Sequence, residues 1–230
     1  MTRVLVIMAM EAEAGPVRVA LGLDETPSPL HAAFPARLWS DDELAVAICG
    51  TDARFDVDAI GTQPAVVTTL LACDHHRPDL LVSAGTAGGF AGRGGRIGDV
   101  FLSTDPLVFH DRRIPLGPFE AYGVGSYPTI GTVELAAAIG ARPGVITTGN
   151  SLDAPPVDLA TMIAAEADAK DMEAAAVGWV AEQFGIDFVA VKSITDLVDS
   201  PEPTAEQFGR NFDLATRRLA ETLPRLLAQL

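Results

Sequence analysis

Two hydrophobic patterns alternate along the chain. Short, nearly unbroken apolar runs occupy residues 3–8, 44–49, 80–83, 100–103, 107–109, 144–147 and 188–194. Runs of this length and continuity predict strands buried on both faces. Between them lie longer stretches with helical spacing, at 10–21, 62–75, 133–139, 162–167, 174–184 and 205–230. Glu11 and Glu13 open the first helix, with Pro16 near enough to its start to be tolerated. Residues 57–60 read as part of the second helical region, where Thr62 is a candidate N-cap and Pro64 sits in the first turn. The last helix is amphipathic and should be interrupted near Pro224. Residues 22–42, with Pro27, Pro29 and Pro35, read as loop, as do the glycines from Gly85 to Gly89 and a long irregular stretch after Phe109 reaching about Pro128. Strands alternating with helices predict an α/β fold with a largely parallel or mixed sheet. No internal repeat, low-complexity tract or linker interrupts the 230 residues, which are expected to form a single domain, 1–230.

Charge and composition narrow the class. A hydrophobic content of 48% suits a globule with a large core. The net charge of −15 would repel nucleic acid and anionic membrane surfaces, so neither is an expected partner. No apolar run approaches the roughly 18 residues of a membrane span, and the first residues read as a strand and not as a targeting segment. Cys49 and Cys73 are too few for a disulfide framework, and a reduced, cytoplasmic setting is expected. Cys73, His75 and His76 lie close together, yet a metal needs ligands aimed at one point. His110-Asp111 would suit a charge relay, but no serine or cysteine motif accompanies it. No metal or other cofactor is expected.

Candidate chemistry collects where strands end, the place where open α/β sheets bind ligands. Glu13, Thr86, Glu173 and Asp196 all fall there. Glu173 begins an apolar helix after Lys170-Asp171-Met172, where the helix dipole would hold it ionised and ready to accept hydrogen bonds from a diol. Each residue also has a plainer reading: Glu13 and Glu173 as helix-start acids, Asp196 as an N-cap, the glycine run as a tight turn. The glycine spacing matches neither a Walker loop nor a dinucleotide fingerprint, so ATP and NAD are disfavoured.

Taken together, Ala9-Met10-Glu11-Ala12-Glu13, Ser83 to Gly89, Asp171-Met172-Glu173-Ala174-Ala175-Ala176 and Thr195 to Asp199 resemble the 5′-methylthioadenosine nucleosidases of the nucleoside phosphorylase superfamily. The likeness runs nearly end to end. It looks strongest to the plant-type branch, through His110 to Pro115 and Asp196 to Asp199 followed by Pro203-Thr204-Ala205-Glu206. The resemblance implies a nucleoside phosphorylase-like fold, a central mixed sheet flanked by helices, and a homodimer whose partner helps close the pocket at the sugar's 5′ end. It implies Glu13 as the acid that handles the attacking water and Asp196 as the acid that protonates the purine at N7, assisted by Thr195. Substrate-binding positions are implied at Met10, Thr86, Gly88, Leu152, Met172 and Glu173, the last taking the 2′- and 3′-hydroxyls. Asn150 departs from the pattern, which usually carries Asp after Gly149, and Lys192 stands where some bacterial members have Arg.

The expected reaction is hydrolysis of 5′-methylthioadenosine to adenine and 5-methylthioribose, with S-adenosylhomocysteine or 5′-deoxyadenosine as further substrates. Carboxylates after the first strand would repel a phosphate dianion, which favours water as nucleophile over phosphorolysis. Arg93 and Arg96 have other reasons to follow the glycine run. Another purine nucleosidase such as a futalosine hydrolase, a phosphate-dependent nucleoside phosphorylase and a non-catalytic nucleoside-binding protein are the alternatives. The aromatics Phe109, Phe119, Tyr122 and Phe208 are expected in core or loop packing.

Overall fold

In the first strand, alternate residues feed two different cores. The computed structural model of the protein describes residues 2–23 and 26–230; the reading of 22–42 as loop therefore falls in part outside the described residues. Strand β1 (Val4–Met8) sends Val4, Val6 and Met8 to one side of a sheet and Leu5 and Ile7 to the other. It leads into α1 (Glu11–Leu21), then β2 (Ser28–His31), β3 (Phe34–Ser40), β4 (Leu44–Ile48) and a small two-stranded ribbon, β5 (Thr51–Asp52) with β6 (Val57–Asp58). Next come α2 (Thr62–His76), β7 (Leu80–Gly89), β8 (Val100–Ser103), β9 (Val108–Phe109), α3 (Pro118–Val124) and α4 (Val133–Ile139). The chain continues with β10 (Arg142–Gly144), β11 (Ile146–Thr148), α5 (Pro156–Ala164), β12 (Ala169–Asp171), α6 (Ala174–Phe184), β13 (Asp187–Leu197) and α7 (Thr204–Leu227).

The main sheet runs β10-β8-β13-β7-β1-β4-β3-β2. Its centre is parallel, β4, β1, β7 and β13 all pointing the same way, and β13 meets β8 antiparallel. The far end of β7 departs from β1 to pair antiparallel with β12, which carries β11 and β9 beside it. The sheet is therefore mixed, with helices on both faces. One core holds Ala65, Ala72 and Cys73 of α2 and the alanine-rich face of α6; the other holds α1, α4 and the apolar stripe Leu219, Leu223 and Leu226 of α7. Cys49 and Cys73 are buried free thiols. None of the described helices is long and apolar enough to cross a membrane.

Several local expectations require correction. Within the supposed loop at 22–42, β2 and β3 form an antiparallel hairpin on the sheet edge, where Pro29 and Pro35 are tolerated because an edge strand leaves some N–H groups unused. Residues 57–60 are not helical: Thr51 pairs with Asp58 in the ribbon, and the left-handed Asp56 (φ 54°) turns the chain. Thr62 is the first helical residue and not the cap. Its N–H and its hydroxyl both donate to Asn150 Oδ1, each at 2.9 Å, so a residue distant in sequence caps α2. The glycines Gly85 to Gly89 are not a loop but the continuation of β7, paired with β13 throughout. The stretch after Phe109 contains α3, the helix expected at 162–167 starts earlier at Pro156, and α7 runs through Pro224 to Leu227, since a proline so near the end breaks little.

Candidate active site

The C-terminal ends of β1, β7, β12 and β13 meet the starts of α1 and α6 around a cavity of about 360 Å³. All nine residues singled out in the sequence line it: Met10, Glu13, Thr86, Gly88, Leu152, Met172, Glu173, Thr195 and Asp196. Ile60, Lys170, Asp171 and Phe208 join them.

Glu13 lies in the first turn of α1 and is only 2% exposed. Its Oε1 accepts hydrogen bonds from the Thr86 N–H (2.7 Å) and the Thr86 hydroxyl (2.6 Å). Burial raises its pKa, and those two bonds, with the Lys192 charge, oppose the rise. The glycines of β7 make room nearby. A Cβ on Gly88 would stand 2.7 Å from Asp196 Oδ2, so only a glycine lets that carboxyl lie flat against the strand.

Asp196 is not a helix cap. It belongs to β13, just past a bulge at which the pairing jumps from Ile194–Ala87 to Asp196–Gly88. The extra residue, Thr195, breaks the alternation of side chains, so that both Thr195 and Asp196 face the cavity. Asp196 Oδ1 lies 2.8 Å from the Thr195 hydroxyl, while Oδ2 is buried with no hydrogen-bond partner among the described residues. Burial raises the Asp196 pKa; the Thr195 hydrogen bond and the Lys170 charge work against it.

Glu173 is the N-cap residue of α6 but does not cap it. Asp171 does: its Oδ2 accepts from the N–H groups of Glu173 (3.2 Å) and Ala174 (2.8 Å), and its Oδ1 from the Thr148 hydroxyl (2.6 Å). The Glu173 carboxyl is thus released toward the cavity, where Oε1 accepts the Gly61 N–H at 2.9 Å. Here the expectation of a dipole-held anion meets a stronger opposing effect. Burial pushes the Glu173 pKa up to about 7, against the attraction of Lys192.

These features fit known proteins closely. A model of the phosphorylase superfamily matches residues 3–228. The chain belongs to the phosphorylase superfamily. Within it, the 5′-methylthioadenosine nucleosidase of Arabidopsis thaliana is 41% identical over 229 residues, covering 97% of this chain and 85% of that protein. The 5′-methylthioadenosine/S-adenosylhomocysteine nucleosidase of the same plant is 36% identical, covering 97% and 90%. The apo structure of the Arabidopsis 5′-methylthioadenosine nucleosidase superposes with a TM-score of 0.94 at 39% identity, covering 99% of this chain and 95% of that one. The chain is therefore a member of the 5′-methylthioadenosine nucleosidase branch of the superfamily, and the mixed sheet flanked by helices is the fold of that branch.

Other sequence candidates lie elsewhere. His110 is buried with Nδ1 3.1 Å from the Thr147 hydroxyl, and burial pulls its pKa down to about 4. Asp111 Oδ2 accepts both the backbone N–H and the side-chain amide of Asn150, so the two residues form no relay. Asn150 lines a neighbouring groove and not this cavity; an aspartate there would lose the amide donor and face Asp111 with like charge. Among the described residues no three His, Cys, Asp or Glu side chains converge as a metal site, Cys73, His75 and His76 included. Of the four aromatics, Phe109 is buried against Tyr127 and Phe119 and Tyr122 are exposed, whereas Phe208 is a cavity wall and so departs from expectation.

Two lysines escaped sequence reasoning as site residues. Lys170 lines the cavity, and Lys192 lies behind it, 1% exposed, with Nζ 2.8 Å from Asp171 Oδ2. Burial alone would lower the Lys192 pKa, but attraction to Asp171, Glu173 and Glu13 outweighs it and the net direction is up. The only signal in sequence was a lysine inside an otherwise apolar strand, which calls for a buried partner. Lys192→Met should destabilise the fold by about 3–5 kcal/mol at pH 7, because it leaves buried acids uncompensated. In that variant the folded acids bind protons more tightly than in the native protein, so the penalty should shrink as the pH falls toward 5. Urea denaturation at both pH values checks this; an equal penalty at each would break the proposed link between Lys192 and the acids.

Proposed function

We propose that this protein hydrolyses the N-glycosidic bond of 5′-methylthioadenosine, releasing adenine and 5-methylthioribose. The observation that carries the reading is the pair Glu13 and Asp196 facing one cavity, with Asp196 Oδ2 buried and unpartnered among the described residues. A purine leaves poorly as an anion, and a proton delivered to N7 lets it leave neutral as the C1′–N9 bond breaks. Asp196 serves as that acid: burial favours its protonated form, and Oδ2 is the carboxyl oxygen left without a hydrogen-bond partner among the described residues. The sugar passes through an oxocarbenium-like state, which nearby carboxylates stabilise. Glu13 has Oε1 fixed by Thr86, and its Oε2 orients the water and takes its proton as the new C1′–O bond forms.

Glu173 grips the 2′- and 3′-hydroxyls and in its charged form accepts from both. A bound diol stabilises that form and lowers a pKa that burial has raised. Met10, Ile60, Leu152, Met172 and Phe208 give the cavity apolar walls suited to a purine and a thioether. Gly88 keeps the base side free of a side chain.

Water is favoured over phosphate by what lines the site. Among the described residues no arginine does, and its one lysine, Lys170, already donates three hydrogen bonds to backbone carbonyls. A phosphate dianion would meet Glu13, Glu173 and Asp196 with no free cationic side chain among the described lining residues to offset them.

The protein acts as a homodimer in this proposal. Ile60 and Thr62 flank Gly61 on opposite sides: Ile60 lines the cavity, and Thr62 lines a groove with Phe109, Arg112, Tyr122 and Trp179. Leu116, Phe119 and Tyr122 are more than half exposed, an apolar cluster that a second copy would cover. Sedimentation equilibrium should therefore give a two-chain particle; a monomer at micromolar concentration would remove this part of the reading.

Purified protein should release adenine from 5′-methylthioadenosine at the same rate with and without inorganic phosphate. Turnover that appears only with phosphate would sink the hydrolase reading. Asp196→Asn should lower kcat by a factor of about 100 to 10,000, the usual worth of a general acid, while leaving the affinity for an adenosine analogue nearly unchanged. An Asn variant with near-native kcat would take Asp196 out of the acid role.

A further inference from the structure

The segment 151–153 passes over the cavity as exposed, irregular backbone, yet three consecutive carbonyls turn inward to one point. That point is Lys170 Nζ, which donates to Ser151 O (2.9 Å), Leu152 O (2.8 Å) and Asp153 O (2.6 Å). All three ammonium hydrogens are thereby used, and the residue is only 4% exposed. A loop without regular structure has few other ways to hold Leu152 in place against the cavity. Lys170 itself is fixed, because β12 pairs it with Gly88 of β7, the glycine against which Asp196 packs.

We propose that Lys170 is a positioning residue for the nucleosidase reaction: it ties the 151–153 wall down over the bound base and supplies the positive charge beside the proton-donating acid. This inference rests on the function proposed above. The acids that face Lys170 are Asp196 from β13, Asp153 from the loop it holds, Asp158 from α5 and Asp171 beside it, and the imidazole of His110, just after β9, feels the same lysine charge, which helps keep it neutral. Burial lowers its pKa, and these four acids oppose that fall. Facing Asp196, the groups that act on its proton are the Thr195 hydroxyl and Lys170, both favouring the ionised form against the effect of burial. The sign follows: without the lysine charge, Asp196 keeps its proton to higher pH.

Two variants separate the tether from the charge. Lys170→Met removes both, while Lys170→Gln removes the charge and keeps an amide that can donate to the carbonyls. Steady-state kinetics of adenine release from 5′-methylthioadenosine, followed across pH, should show KM raised about tenfold or more in Lys170→Met and clearly less in Lys170→Gln, as expected when bonds to a charged donor are lost. In both variants the alkaline limb of the kcat profile should move to higher pH, even where kcat falls. Were Lys170 merely structural, activity would drop with the limb unmoved. A limb at the native position in either variant, or a native KM in Lys170→Met, overturns the proposal. A native protein that releases no adenine would overturn the proposed function and this role with it, whereas a native protein that does release adenine, with the limb unmoved in the variants, overturns the role of Lys170 alone.

Discussion

The buried ion pair between Lys192 and Asp171 is the contact on which the rest of the site depends. It joins the middle of the sheet to the start of α6, with Nζ and Oδ2 2.8 Å apart and almost no solvent at either side chain. Such a pair adds little net stability, since desolvating two charges offsets most of their attraction. Its value here is positional. Asp171 takes over the N-terminal N–H groups of α6 and the Thr148 hydroxyl, so Glu173 at the cap position has no capping duty and can face the cavity. Lys192 in turn is the charge that tempers both Glu173 and Glu13, two buried acids whose pKa values burial raises.

The strands are adapted to the same end. A regular β13 would turn alternate side chains to opposite faces, and Thr195 and Asp196 would not both reach the ligand. The bulge removes that restriction, and Gly88 across from it accepts the displaced carboxyl. What looked in sequence like two separate motifs, a glycine run and a Thr-Asp pair, is one device shared by two neighbouring strands.

Much of this was readable in the chain. The buried strands gave themselves away as apolar runs, and α4 falls at the residues its spacing indicates. Features that depend on distant partners stayed hidden. The β2–β3 hairpin was masked by Pro29 and Pro35, because a proline weighs against a strand until one knows that the strand lies at an edge. The cap of α2 comes from Asn150, 88 residues away from Thr62, and no local pattern encodes it. Glu13, Thr86, Glu173 and Asp196 were legible because strand ends in an α/β fold are where side chains converge. Lys170 was not, since a lysine in sequence carries no mark of the carbonyls it will meet, and the place of Lys192 in an apolar strand calls for a buried partner without naming it. Phe208 was assigned to packing for a similar reason: an aromatic on an amphipathic helix is usually core, and only the tertiary arrangement turns it toward the cavity.

Burial raises the pKa of both Glu13 and Asp196, so burial cannot be what separates a base from an acid in the proposed reaction. Their hydrogen bonds can. Glu13 accepts two donors on one oxygen, one of them a backbone N–H that cannot reverse its role, and it also feels Lys192; all three favour the ionised form. Asp196 has a single hydroxyl partner, and that hydroxyl also lies 3.2 Å from the Ala87 carbonyl, to which it can donate instead. A hydroxyl that turns to the carbonyl leaves its own oxygen free to accept, so Thr195 suits Asp196 in either protonation state. The two acids thus differ less in how deeply they sit than in whether their partners tolerate a proton, and the partner that tolerates one stands beside the acid that must deliver it.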